Sequence, residues 1–413
     1  MPDPVSCTRR RFLIAAASTA AAATLHGCTA PTTSSPTGFR LRPGGSADGF
    51  DPWLEVIADA FRHNVRQTAA LAGGTPMLAV IKNNAYGLGD QVVGPIVAAC
   101  PEVVGLATVR VSEVLALRGA GVQKPILNMA ETSGGELEEL ARHGAWPTVW
   151  LDDAPERARR AAERLGRPVA VHAYLDAGMG REGMPLSRAR PWLERLCRTD
   201  GVSVAGTYMM TTEDVDFDRR QLQRFQAFTD EATRAGLAIG SRHASPSFAV
   251  VNLPEARLDL VRTGNLLFGN LPDGPDTGTR PDLRTVFRLC ARVVRLERFE
   301  PGDSASFGRS WVAKRATWVA LLPVGHTDGL PATAAGTCQV LIGGRLYPIV
   351  AMISSTHTIV EIGDERSVLV GDVATLIGPD HPAIAPHAVA ERCGLRFYRM
   401  ITKFSALLPK VVV

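Results

Sequence analysis

The residue with the most evident capacity for chemistry is Lys82, in the string AVIKNNAYGLG. An apolar run leads up to it and a glycine-bearing turn follows. A lysine at the end of a strand is partly desolvated if it points into a closed mouth. Desolvation lowers its pKa and favours the neutral amine, which can condense with a carbonyl to an imine. The competing reading is a strand-end lysine whose alkyl stem lies on apolar surface while its ammonium reaches water. Other groups able to bind or move charge are spread along the chain. They include Arg181 in DAGMGREG, Ser247 in HASPSF, Arg262 with Gly264 and Asn265 in LVRTGN, His326 in GHTDG, and Tyr398 near the C-terminus. No CxxC pair exists, so nothing supports a zinc or iron–sulfur site, and no metal is expected.

Groups so far apart in sequence need elements to bring them together. Eight strand candidates follow one another: Met77–Lys82, Val103–Val109, Pro125–Met129, Pro147–Leu151, Val169–Leu175, Val204–Met209, Ile239–Ala244 and Leu258–Arg262. Helical patterns alternate with them, as at Gly134–His143, Pro155–Leu165, Leu186–Arg198 and Asp218–Gly236. Trp53–Ala70 also reads as a helix, with Val56, Ala60, Phe61 and Val65 on one face. Eight β-then-α units predict an α/β fold, a (β/α)8 TIM-type barrel over residues 53–284. Active sites of such barrels sit at the C-terminal ends of the strands. Lys82 ends the first strand, Arg181 follows the fifth, Met210 ends the sixth, Ser247 follows the seventh, and Arg262 and Gly264 end the eighth.

After Thr285 the texture changes. Strand-like runs at Cys290–Arg295, Ala316–Leu322, Thr337–Ile342, Arg345–Val350 and Ser367–Val370 are separated by Gly, Pro and Asp turns. A helix is predicted only at Ala385–Cys393. Residues 285–413 therefore read as a mostly antiparallel β domain. Residues 39–52 form a lead-in, in which Phe39–Arg42 can add a strand to that domain.

The chain has 413 residues, of which 46% are hydrophobic and 21% charged, with a formal net charge of +4. That is ordinary globular composition. No basic stripe is interleaved with aromatics, so nucleic acid is not expected as a partner. Residues 1–28 read as an export signal: Arg9-Arg10-Arg11-Phe12-Leu13 opens a short alanine-rich apolar run, in the manner of a twin-arginine leader. Leu25-His26-Gly27-Cys28 is similar to a lipobox, with Cys28 as a lipid anchor; simple cleavage nearby is the alternative. Residues 29–38 form a Pro/Ser/Thr linker. The protein is then exported, as a periplasmic protein or a membrane-anchored lipoprotein. Five of the seven cysteines lie beyond the leader. They allow at most two disulfides, or none if they are buried free thiols.

AVIKNNAYGLG resembles the alanine racemase signature, a lysine followed by Asn/Asp-Ala-Tyr-Gly-x-Gly. WLEVIADAFRHNVR is similar to that family's opening strand and helix. HASPSFAVVNLPEARLDLVRTGNLLFG is similar to its phosphate- and pyridine-binding region, and RSWVAKRATWVALLPVGHTDG to the start of its C-terminal domain. The last two segments resemble most the exported broad-specificity amino-acid racemases. The resemblance implies pyridoxal 5'-phosphate, bound to Lys82 as a Schiff base, with Lys82 also acting as one base. It implies that Tyr86, Ser247, Tyr398 and the amides of Gly264 and Asn265 hold the phosphate. Amides at a glycine turn and neutral hydroxyls suit a dianion. Arg262 would face the pyridine nitrogen and leave it unprotonated, since arginine keeps its proton. Arg181 would bond the phenolic oxygen.

Three departures stand out. His326 in GHTDG occupies the place of the family's second base, a tyrosine. Met210 replaces its ring-stacking histidine. Ser355 and Thr356 in AMISSTHTIVEIG replace a Met-Asp-type site for the substrate carboxylate, for which Arg309 in FGRSW is another candidate. Histidine's ordinary pKa of ~6.5 lets it give or take a proton near neutrality. The chain therefore reads as an exported amino-acid racemase or epimerase. It would be a homodimer with shared active sites, using Lys82 and His326 on opposite faces of the α-carbon. The alternatives are another reaction on the same cofactor, such as a D-threonine-aldolase-like cleavage, and a non-catalytic amino-acid-binding homologue.

Overall fold

The computed structural model describes residues 49–275 and 280–413. The leader, the linker with Cys28, and the strand expected at Phe39–Arg42 lie outside the described residues. The first element corrects the sequence reading. Trp53–Val56 is a strand, β1, and the helix α1 begins only at Ala58 (Ala58–Leu71). Leu54 and Val56 are buried while Trp53 and Glu55 are half-buried, so these four residues alternate with period two. Val56 happens to be in helical phase with Ala60, Phe61 and Val65, which hid that alternation.

Eight parallel strands then close into a ring. They are β2 (Met77–Val80), β3 (Val103–Thr108), β4 (Ile126–Asn128), β5 (Trp146–Val149), β6 (Val169–Asp176), β7 (Val202–Tyr208), β8 (Ser241–Ser245) and β9 (Leu260–Thr263). Each pairs with the next, and β9 pairs back onto β2 with Arg262 opposite Leu78. All four residues of β2 are buried, as expected of a strand covered on both faces. The helices α2 (Asp90–Ala98), α3 (Val111–Gly119), α4 (Gly134–Arg142), α5 (Ala154–Leu165), α6 (Leu186–Arg198), α7 (Val215–Arg234) and α8 (Ser247–Asn252) lie between them. Their starts are locally encoded: ahead of α4, Ser133 and Glu136 exchange hydrogen bonds as a capping box. In α6, Ala189, Trp192, Leu193 and Leu196 form the buried stripe. This is the predicted barrel, with the C-terminal strand ends gathered on one rim.

The C-terminal part is mostly antiparallel β. Its strands are β10 (Phe287–Arg292), β11 (Arg295–Phe299), β12 (Thr317–Leu322), β13 (Gln339–Ile342), β14 (Arg345–Pro348), β15 (Thr358–Gly363) and β16 (Val373–Ile377). Two short helices, α9 (Pro386–Arg392) and α10 (Phe397–Ile401), precede a last strand, β17 (Lys410–Val412). The main sheet has the order β14-β13-β16-β10-β1-β17, and β11-β12-β15 form a second sheet. β1 thus belongs to this domain and not to the barrel, with β10 antiparallel on one side and β17 parallel on the other. Two further readings are corrected. Cys290–Arg295 spans the end of one strand and the start of the next. Ser367–Val370 is a loop that leaves Leu369 58% exposed, and the strand follows it at β16.

Candidate active site

β2 ends one residue before Ile81, and the chain then makes a left-handed turn. Asn83, Asn84, Ala85 and Tyr86 have φ of 56°, 55°, 48° and 54°. L-residues pay about 1–2 kcal/mol each for this conformation, so something must hold it. Glu113, at the start of α3, accepts from the Asn84 N–H at 3.1 Å and from the Val109 and Arg110 N–H groups at 3.1 and 3.2 Å. Asn84 Oδ1 accepts from the Asp90 N–H at 3.0 Å, and Asn83 Nδ2 donates to the Tyr398 hydroxyl at 3.1 Å. The turn brings Lys82 and Tyr86 to one cavity of about 240 Å³.

That cavity is also bordered by Ser247, Gly264, Asn265 and Tyr398. Ser247 Oγ accepts from the Gly264 N–H at 3.1 Å. A Cβ at Gly264 would lie 2.1 Å from the Tyr86 hydroxyl, so only glycine lets that hydroxyl in. Tyr86 packs against Phe268 and, edge-on, against Tyr398, whose ring centroid is 5.1 Å away. Burial raises the Tyr86 phenol well above its ordinary value, so it stays a neutral donor. Burial likewise lowers the pKa of Lys82. Arg181 lowers it further, and Glu182 and Glu113 oppose the change.

Arg262 also borders the cavity. It is 3% exposed and has no carboxylate within ion-pair distance among the described residues. Its partners are His243 Nδ1 at 2.5 Å, the His243 and Met209 carbonyls at 3.0 and 2.8 Å, and the Met210 sulfur at 3.7 Å. Its guanidinium also lies 4.7 Å from the centre of the Tyr208 ring. His243 Nε2 is 3.0 Å from His172 Nδ1. Arginine cannot accept, so His243 Nδ1 is bare and its Nε2 carries the proton given to His172. Burial holds both imidazoles neutral, that of His172 with its pKa pushed down to about 3, and the Arg262 charge acts in the same direction.

The cavity therefore gathers Lys82, Tyr86, Met210, Ser247, Arg262, Gly264, Asn265 and Tyr398. Arg181 does not border it. It stands on an exposed loop, 56% exposed, 3.9 Å from Glu182, although Lys82 feels its charge. His326 is exposed on the β domain, within one chain's own surface and outside this cavity. Its turn is fastened to the loop that carries Ser355 and Thr356: the His326 N–H donates to the Ser354 carbonyl, and the Thr327 N–H to that of Ser355, both at 3.0 Å. Arg309 is spent on its own turn, donating to Ser304 Oγ at 3.1 Å and to the Gly302 carbonyl at 3.3 Å. Sequence reasoning missed Glu113, His172, His243 and Glu213. Glu213 borders the cavity with φ of 71°, pinned by Asp218, which accepts from its N–H at 3.1 Å.

Residues 56–272 match the family of the alanine racemase N-terminal domain, and residues 286–412 that of the alanine racemase C-terminal domain. The chain belongs to the alanine racemase family. A relative, the alanine racemase of Symbiobacterium thermophilum, is 33% identical over 337 residues, covering 80% of this chain and 89% of its own. That of Chlorobaculum tepidum is 31% identical over 358 residues, covering 85% and 93%. Among solved structures, alanine racemase from D-cycloserine-producing Streptomyces lavendulae superposes with a TM-score of 0.79 at 28% identity, covering 88% of this chain and 97% of that one. Alanine racemase from Clostridium difficile gives 0.82 at 25% identity, covering 88% and 96%.

Alanine racemases depend on pyridoxal 5'-phosphate, and the residues present fit that group. Asn265 borders the cavity with its side-chain Oδ1 buried and without a partner; with the amide turned over, its NH2 would donate there. The space over Gly264 is kept open for a hydroxyl. The polar donors at that end are hydroxyls and backbone amides, which suit a phosphate, and the Lys82 amine is held toward its neutral form.

Proposed function

We propose that the protein is an amino-acid racemase or epimerase that acts outside the cytoplasm and moves the α-proton between two bases, Lys82 and His326 from a second copy of the chain. The observation that carries the reading is that the desolvated Lys82 amine and the buried Arg262, which has no ion-pair partner among the described residues, border one cavity. Tyr86, Ser247, Tyr398 and the turn at Gly264 would hold the cofactor phosphate, and Arg262 the ring nitrogen. The bound cofactor supplies an electron sink for the charge left when the α-proton departs. Arg262 keeps its own proton and is backed by neutral imidazoles, so it stabilises that charge without protonating the ring. Lys82, held toward the neutral amine, receives the proton at Nζ. His326, exposed on a turn whose backbone is bonded to the loop at Ser354 and Ser355, suits a base that approaches the other face of the substrate from a partner. Arg9, Arg10 and Cys28 support export and a lipid anchor.

Two inactive variants test the shared site. Lys82→Ala should lose the visible absorbance of lysine-bound cofactor and all racemisation, which also separates an enzyme from a mere amino-acid binder. His326→Ala should lose about 10²–10⁴-fold in kcat. Mixed and allowed to exchange subunits, the two should regain roughly a quarter of wild-type activity, because half the dimers are hybrids with one complete site. Full activity of His326→Ala would end the two-base proposal. In deuterated water a racemase labels both enantiomers at the α-carbon, whereas a retro-aldol enzyme releases glycine and an aldehyde.

A further inference from the structure

Cys338 and Cys393 are 55 residues apart in sequence, yet their Sγ atoms are 3.8 Å apart, inside the β domain. Both side chains are buried. The backbones around them are already fastened. Thr333 Oγ1 donates to the Cys393 carbonyl at 3.1 Å, and the Cys338 N–H donates to the Ala334 carbonyl at 2.9 Å. Side-chain rotation of a pinned, adjacent pair can bring the sulfurs to bonding distance without rebuilding the chain. The Cys393 thiol beside Cys338, helped by Thr337 and Arg392, favours ionisation at Cys338 against the opposing effect of burial, while Cys393 is held above the usual range. The other described cysteines differ. Burial raises the thiols of Cys100, Cys197 and Cys290, and none of them has a sulfur neighbour.

We propose that Cys338 and Cys393 form a dithiol that closes to a disulfide by exchange with a small-molecule disulfide that reaches the pair during folding or local opening of the domain. The Cys338 thiolate attacks one sulfur of that oxidant, forms a mixed disulfide and expels a thiolate. Cys393 loses its proton to solvent and attacks Cys338, releasing the second thiol. Two protein thiols are oxidised and one external disulfide is reduced to two thiols. The bridge would tie the segment that leads from His326 into β13 to the end of α9, five residues before Tyr398. It goes beyond the racemase reading and does not rest on it, nor on export.

The test exposes the protein to oxidised glutathione, once folded and once during refolding from denaturant, followed by alkylation, digestion and mass measurement. The peptides holding Cys338 and Cys393 should be linked and ~2 Da lighter than the two thiol forms together. The bridged protein should melt ~3–6 °C above the reduced one. That difference should vanish in Cys338→Ser and Cys393→Ser. Free, alkylated thiols at both positions in both arms would overturn the proposal, and that mass reading needs no variant to fold. A reductant-sensitive melting point that persists in the serine variants would overturn it as well.

Discussion

Arg262 is a buried cation whose partners are all neutral, and the two histidines behind it make the site sensitive to acid. Both are held neutral in the folded chain, His172 with its pKa at about 3. In the unfolded chain each takes a proton near ~6.5. Below that value the unfolded state binds more protons, so stability falls as pH falls from ~6.5 toward 3, by about 1.4 kcal/mol per pH unit for each imidazole. Melting temperatures measured from pH 7.5 down to 5 should drop, and His172→Asn should flatten the slope while lowering the whole curve. Parallel curves for the two proteins would contradict this account. A second residue-scale prediction concerns Glu213, whose carboxylate has no ion-pair partner among the described residues. A cationic substrate side chain would gain from it. Glu213→Gln should lower kcat/KM for lysine or arginine by about fivefold relative to alanine, the size of a half-open ion pair.

At the scale of elements, the left-handed turn after Lys82 is the piece on which the site depends. Glu113→Ala would leave three N–H groups without their acceptor, each worth ~1–3 kcal/mol when buried. The expected result is a lower melting temperature and about 10–100-fold weaker retention of pyridoxal phosphate, read by titration of the apoprotein. Glu113→Gln, which keeps one acceptor, should fall between. The turn also shows what the sequence could and could not tell. A turn was readable, because Gly87 and Gly89 follow the lysine. Its hand was not, because Ala85 and Tyr86 have no preference for positive φ, and the groups that impose it arrive with Glu113 and Tyr398. The barrel was readable because eight buried runs alternate with amphipathic helices. The strand β1 was not, since four residues carry too little periodicity to compete with the helix beside them. Ser367–Val370 has strand-like composition but no partner strand. His172 and His243 escaped notice because a histidine matters here through the ring it touches, which spacing does not reveal.

At the scale of the molecule, the two ends of the described body meet in one sheet. The Val413 N–H donates to the Val56 carbonyl at 2.9 Å, and the Ala58 N–H to the Val413 carbonyl at 3.0 Å. Deleting residues 410–413 removes β17 and leaves β1 as an exposed edge. The truncated protein should melt lower, and the amides of residues 54–58 should exchange with deuterium far faster than those of the barrel strands; unchanged protection there would refute this. For the same reason, cutting the chain between barrel and β domain would not yield two complete parts. The pairing also imposes a schedule on biosynthesis. β1 leaves the ribosome early, but its partners β10 and β17 do not exist until much later. At ~5–20 residues per second its neighbour β17 arrives roughly twenty to seventy seconds afterwards. Until β10 follows, Leu54 and Val56 are apolar residues of an unpaired ribbon, a site on the nascent chain for a chaperone to bind. Only once residues 410–412 are made can the first strand gain its second partner.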